Sequence, residues 1–448
     1  MTTTIHARAA LTPEGWREDV RITCAARVVG SIEVGAAPQP GDERCVVAVP
    51  GTPNLHSHAF QRAMAGRAQA AGATADSFWT WRVAMYDLAL RMTPDDVEAV
   101  AARAYAEMLE AGYTRVGEFH YLHHDRDGRA YADIAELAAR VCAASAQTGI
   151  GMTLLPVFYA HSDFGGAPPA PEQRRFVCDR DLFAALLEAC RGLVRALEGG
   201  RLGVAPHSLR AVSADELAHL VGLAGEGPIH IHVAEQVREV EACLAATGAR
   251  PVAWLLDNAP VDARWCLVHA THMDAQETER LARSGAVAGL CPVTEADLGD
   301  GVFPARAYRA AGGRFGIGTD SHVRITLPGE LRQLEYAQRL TERARNVLAP
   351  PGGSTGRAVL DAAGAGGAAA LDVRNGLAPG APADVVALGG EATGRLAEDG
   401  FLDAWIFARG VAVDRVWARG RLVVRDGRHV ARDVIDRRFA AAMRALAG

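Results

Sequence analysis

From residue 45 to about residue 325, short apolar runs alternate with longer Ala/Leu/Glu/Arg segments of helical period. Eight runs stand out: Val46–Val49, Thr114–Phe119, Met152–Phe158, Leu202–Ala205, Pro228–Val233, Trp265–His269, Ala286–Leu290 and Arg314–Gly318. Eight such alternations predict an α/β fold, a (β/α)8 barrel whose helices cover a closed parallel sheet. One intervening helix is marked at both ends. Thr93 is placed to cap it, Pro94 suits its first turn, Asp95 and Asp96 favour its dipole, and Gly112 ends it.

The flanks are patterned differently. Residues 1–44 hold short alternating stretches such as Asp19-Val-Arg-Ile-Thr-Cys, punctuated by Gly and Pro. Residues 376–448 resemble them, with Ala383-Asp-Val-Val-Ala-Leu and Asp414-Arg-Val-Trp-Ala-Arg-Gly-Arg-Leu-Val-Val-Arg-Asp-Gly. The two flanks are expected to pair into one small β-sandwich-like domain, leaving 45–375 for the barrel. Leu348-Ala-Pro-Pro-Gly-Gly-Ser is read as a surface connection.

Composition narrows the function. A length of 448 residues suits a barrel of roughly 250–350 residues plus a smaller unit. A net charge of −6 provides no general attraction for nucleic acid. The amino terminus lacks the apolar core of a signal peptide, and no apolar stretch reaches the ~18–20 residues that span a bilayer. Eight scattered cysteines without a C-x-x-C pair fit reduced thiols in a cytoplasm, with Cys266 and Cys291 as core residues. The chain has no lysine. Schiff-base chemistry on lysine is therefore excluded, and so is a pair of metals bridged by a carbamylated lysine.

In a parallel barrel the chemistry gathers at the carboxyl ends of the strands. His56 and His58 stand two apart after the first run, and such residues of a strand share a side, so one segment offers two imidazoles to one ion. The fifth run ends His230-Ile-His232-Val-Ala-Glu235, the sixth His269-Ala-Thr-His272, and the eighth Gly318-Thr-Asp320-Ser-His322. Histidines from separate strands with a terminal aspartate suit a borderline divalent cation. Plainer readings stand beside each. His230, farther from the strand end than His232, suits the core or a supporting role. His272 is read as an idle loop residue, and His123 and His124 as solvated surface residues. His269 could instead satisfy a buried hydrogen bond, Asp320 could cap a helix from Ser321, and Glu235 could begin one. Against that last reading, Glu235 is well placed to carry the protons that metal-activated water must shed.

Pro50-Gly-Thr-Pro-Asn-Leu-His-Ser-His, His232-x-x-Glu235, His269 and Asp320 together resemble the amidohydrolase superfamily, in its single-metal deaminase branch. Further blocks are similar to the formimidoylglutamate deiminases of bacterial histidine breakdown. They are Asn54-Leu-His-Ser-His-Ala-Phe-Gln-Arg-Ala-Met-Ala-Gly, Asp76-Ser-Phe-Trp-Thr-Trp-Arg, Glu118-Phe-His-Tyr-Leu-His-His-Asp, Ala205-Pro-His-Ser-Leu-Arg and Leu298-Gly-Asp-Gly-Val-Phe-Pro. The likeness runs through most of the chain, termini included. Thr52, Val293 and Asp297 depart from the pattern, which has Met, Thr and Asn there. Of these, only Asp297 adds a charge that would repel an acidic substrate.

The resemblance implies hydrolysis of N-formimidoyl-L-glutamate to N-formyl-L-glutamate and ammonia. It implies one divalent ion, Zn2+ or alternatively Fe2+, held by His56, His58, His232 and Asp320, which would lower the pKa of bound water from ~15.7 toward ~7. Glu235 and Asp320 would handle protons and His269 would steady the tetrahedral intermediate. A dicarboxylate needs strong donors, and arginine offers a planar fork, so Arg82 and Arg210 are the candidates. Gln61, Tyr121 and His207 complete the cradle by their matching positions, while Trp79 and Trp81 are read as packing. No redox or organic cofactor, nucleic acid or membrane is expected, and the assembly is expected to be a homodimer. Two rivals remain open: a nucleobase or related aminohydrolase deaminase with the same metal machinery, and a catalytically inactive metal-binding protein.

Overall fold

A computed structural model describes residues 2–70 and 77–447; Asp76 of the quoted block lies outside them. We number the barrel strands in chain order. They are β1 (Thr52–Ser57), β2 (Tyr113–His120), β3 (Gly151–Phe158), β4 in two pieces (Arg201–Leu202 and Ala205–Pro206), β5 (Ile229–Val233), β6 (Trp265–His269), β7 (Val287–Leu290) and β8 (Arg314–Ile317). They pair in parallel as two arcs, β1 to β4 and β5 to β8. Parallel bridges between Ser57 and Asp320, and between Val204 and Ile229, join the arcs at both seams. The ring predicted by the alternation is closed.

The first expected strand is misplaced. Val46–Val49 lies in Glu43–Pro50, which pairs in parallel with Thr3–Thr12 and antiparallel with Val385–Gly389. This strand belongs to the terminal sheet, so the boundary expected at residue 45 falls inside it. The barrel begins at Thr52 instead. Its first strand carries Pro53, Asn54, His56 and Ser57, which break the apolar signal.

Both termini do meet. The terminal sheet is one continuous array of eight strands, not two stacked sheets, and Glu43–Pro50 and Val385–Gly389 lie at its centre. Alternation along the strand divides its two faces. Val47 and Val49 join the main core, while Ala48 between them packs with Ile5, Ala387 and Trp417.

The barrel's floor is closed from below. Helix Thr355–Ala370 ends there, and its last carbonyls take hydrogen bonds from inside the ring. His230 donates from Nε2 to Ala370 (2.7 Å) and Thr153 from Oγ1 to Leu371 (3.0 Å). Leu55, Cys266, Val268, Val287, Ala370 and Leu371 fill this end. The helix with marked ends spans Pro94–Glu110. Thr93 accepts from the Asp96 amide, Asp96 accepts in return from the Thr93 amide, and the chain leaves through Gly112 at φ +97°.

Candidate metal and active site

The ends of β1, β5 and β8 bring three imidazoles and one carboxylate together. His56 Nε2 lies 3.1 Å from both His58 Nε2 and His232 Nε2, and Asp320 Oδ1 lies 3.4 Å from His56 and 3.3 Å from His58. The far nitrogens decide what these near ones carry. His58 donates from Nδ1 to the Phe119 carbonyl (2.9 Å) and His232 from Nδ1 to the His207 carbonyl (3.0 Å). A carbonyl only accepts, so in the neutral rings Nε2 holds a lone pair aimed at the shared centre. Burial, then neighbouring imidazoles, push His56 and His232 well below the ordinary histidine range. Burial also lowers His58, against the pull of Asp320. Burial keeps the three imidazoles toward their neutral form, so three ring nitrogens and one carboxylate converge on one centre, a donor set that fits a divalent cation such as zinc.

The backbone holds these four residues in place. Amides of Thr319 and Asp320 donate to the His56 carbonyl (both 3.1 Å), and the His58 amide donates to the Asp320 carbonyl (3.1 Å). Asn54 Oδ1 accepts from the Thr319 amide (3.1 Å), and Ser57 Oγ donates to Glu118 (2.6 Å). A side chain at Gly318 would stand 2.7 Å from the His56 Cβ and 2.9 Å from its carbonyl, so only glycine lets β8 approach β1 this closely. Asp320 and His269 both adopt left-handed backbone, at φ +46° and +66°. Such conformations are uncommon outside glycine and gather at functional sites.

Glu235 follows β5 and caps nothing. The next helix, Val237–Thr247, has no side-chain cap at Gln236; Glu239 instead accepts the Ala234 and Glu235 amides (both 3.2 Å). Burial raises the Glu235 carboxyl to about 7, with Asp320 and Glu239 adding to the effect and His269 and Arg210 opposing it. His269 faces Glu235 from Nε2 at 3.7 Å and donates from Nδ1 to Glu295 (3.2 Å). Burial opposes its charge, but Glu235, Glu295 and Asp320 outweigh burial and hold the imidazole well above its ordinary range. Asp320 is no helix cap, since the next helix starts at Leu327 behind Thr326.

A pocket opens above these groups. Gln61, Arg82, Tyr121, His207 and Arg210 all line it, together with His58, His232, Glu235, His269 and Asp320. Gln61 donates to the Tyr121 hydroxyl (2.7 Å), leaving its own Oε1 unpartnered. Arg210 is 6% exposed, and its Nε has no partner. Arg82 lies over the rings of Trp79 and Tyr86, at 4.7 and 5.4 Å. Neither arginine has an ion-pair partner among the described residues.

Some expectations need correction. His123 and His124 are not solvated: they are 2% and 3% exposed and donate to the Val157 and Val177 carbonyls. Trp81 is not merely packing, because it forms pocket wall with Tyr159 and Phe176. Asp297 is not among the residues lining the pocket; it is exposed and accepts from Gln69 (2.6 Å). His230, by contrast, serves the barrel floor, in keeping with the core role expected of it. Acids that escaped the sequence reading include Glu295, which accepts from His269, and Asp300, which sits with Glu235 and His269. The quoted Leu298-Gly-Asp-Gly block contains Asp300, but nothing local distinguishes it from a turn residue.

A family profile described as "Amidohydrolase family" matches residues 47–423. The chain belongs to the amidohydrolase family. A second profile, "Formimidoylglutamate deiminase HutF, N-terminal domain", matches residues 2–45 of this amidohydrolase. The formimidoylglutamate deiminase of Pseudomonas aeruginosa is 50% identical to it over 97% of each chain. Among solved structures, an amidohydrolase from Brucella melitensis is 56% identical, covers 100% of both chains and superposes with a TM-score of 0.97. A zinc-bound adenosine deaminase from Xanthomonas campestris shares the fold, with a TM-score of 0.80 at 23% identity over 99% and 98% of the chains. The likeness read from the motifs is borne out.

Proposed function

We propose that this amidohydrolase hydrolyses the formimidoyl group of N-formimidoyl-L-glutamate, releasing ammonia and N-formyl-L-glutamate in histidine degradation. The observation that carries the reading is a pair of arginines, Arg82 and Arg210, free of carboxylate partners yet lining the same pocket as Glu235 and the ligand cluster. A guanidinium lining a pocket without a carboxylate partner is suited to an anion, and this substrate brings two carboxylates. At its other end the substrate carries a basic amidine, suited to the acidic groups Glu235 and Asp320. A neutral nucleobase would leave both arginines unpaired.

His56, His58, His232 and Asp320 would hold one divalent ion, in our reading Zn2+, which when bound supplies Lewis acidity and an activated water. Arg82 and Arg210 bind the carboxylates, with Gln61, Tyr121 and His207 as further donors. Glu235 accepts a proton from the attacking water and returns it to the departing nitrogen, a role that suits a carboxyl titrating near neutrality. His269, held cationic among acids, presents Nε2 to the charge that develops as water adds. Tyr159, Phe176 and Trp81 exclude bulk water. The reading places the enzyme in the cytoplasm, as a homodimer; among the described residues no helix is long and apolar enough to cross a membrane.

The test is product analysis with metal-loaded protein. Equimolar ammonia and N-formyl-L-glutamate are expected. Formamide with glutamate would place the break at the other C–N bond and overturn the reading, as would no turnover at all.

A further inference from the structure

Asp300 lies in the loop after helix Pro292–Leu298, its amide bonded to the Glu295 carbonyl (2.9 Å). It is 4% exposed. Its carboxyl is held on one side only: Oδ1 accepts the Gln236 side-chain amide, whereas Oδ2 is buried without a partner. One atom each of Asp300, Glu235 and His269 lie within 4.8 Å of one another. Asp300 is not among the residues lining the pocket, whereas Glu235 and His269 are.

The charges around it limit its state. Glu235, Glu295 and Asp320 are the acids that face it, with Glu239 beyond Glu235, against His269 and Arg210 as cations. His269 Nδ1 is already committed to Glu295. A further buried carboxylate with a bare oxygen would be costly. A protonated carboxyl that donates to its anionic neighbour removes that cost and satisfies both groups. Burial, reinforced by Glu235, pushes Asp300 up to about 9.

We propose that Asp300 is a positioning residue for Glu235: a neutral carboxyl that donates from Oδ2 to the Glu235 carboxylate and fixes where it points. Gln236, next to Glu235 in the chain, anchors Asp300 from the other side. Glu235 is thereby left one free oxygen for proton traffic with the substrate. The proposal rests on the reaction proposed above, in which Glu235 carries the proton.

Asp300→Asn and Asp300→Leu, compared with wild type, separate the possibilities. An asparagine can accept from Gln236 and donate to Glu235, so it should keep kcat at pH 7 within about threefold. It cannot lose a proton, so the alkaline limb that Asp300 contributes should vanish. Leucine makes neither bond and should lower kcat by about 10–100-fold, the usual cost of losing a group that orients a catalytic one, with KM within about twofold and metal content unchanged. If leucine prevents folding, Asp300→Ala takes its place with the same expectation. Equal losses in both variants, wild-type kcat in the leucine or alanine protein, or a change confined to KM would overturn the proposal. Wild type that releases no ammonia overturns the functional reading instead, which keeps the two failures distinct.

Discussion

Glu235 has its amide tied to Glu239, His269 in front of it and Asp300 behind it. That environment leads to two expectations. Glu235→Gln should retain the metal and lose about 10²–10⁴-fold in kcat, because an amide keeps the shape and cannot carry a proton. Loss of metal in step with activity would instead make Glu235 structural. The second concerns pH. Glu235 must be ionised to accept water's proton, so its raised carboxyl should give kcat/KM an acid limb at or below pH 7, lower once a cation is bound nearby. Rate profiles of the wild type should show this limb, and the residual activity of the glutamine variant should lack it. At this scale the sequence was informative where spacing carried the signal. His56, His58 and the His232–Glu235 interval could be read because strand geometry puts such residues on one side or at one end. His123 and His124 could not, since two polar residues after a strand read as solvent-facing, and only the tertiary approach of the Val157 and Val177 carbonyls makes them interior donors.

Among the elements, the seam between β1 and β8 matters most, because it fixes the distance between His56 and Asp320. Gly318→Ala forces a methyl group against His56, an overpacking that typically costs about 1–3 kcal/mol. Both Tm and metal content should fall in this variant. A normal metal content would mean that the seam can relax without disturbing the ligands. The same seam explains why β1 was hard to read. Val46–Val49 has the apolar pattern expected of a barrel strand, and it is indeed a strand, but in the terminal sheet beside Val385–Gly389. The true β1 is rich in polar residues that hold the site. The helix at Pro94–Glu110 was legible to within a residue or two, because its cap and its terminal glycine act locally.

For the molecule as a whole, a closed parallel barrel gathers groups from β1, β5, β6 and β8 at one mouth and meets them with arginines from the helix at Phe78–Arg91 and the segment after β4. With no lysine to bridge a second ion, metal analysis of protein purified without added metal should approach one ion per chain. Two ions per chain, both needed for turnover, would contradict the single-ion reading. This mouth is expected to select a dicarboxylate and cleave its formimidoyl group. The most direct measurement is kcat/KM for ammonia release from N-formimidoyl-L-glutamate and from an analogue lacking one carboxylate, in wild type, Arg82→Met and Arg210→Met. A charge-assisted hydrogen bond is worth roughly 1.5–3 kcal/mol, so wild type should prefer the dicarboxylate by about 10–150-fold or more. The preference should shrink in whichever variant lacks the arginine that holds the missing carboxylate. Equal rates on both compounds in wild type, or a preference untouched by either substitution, would contradict the account.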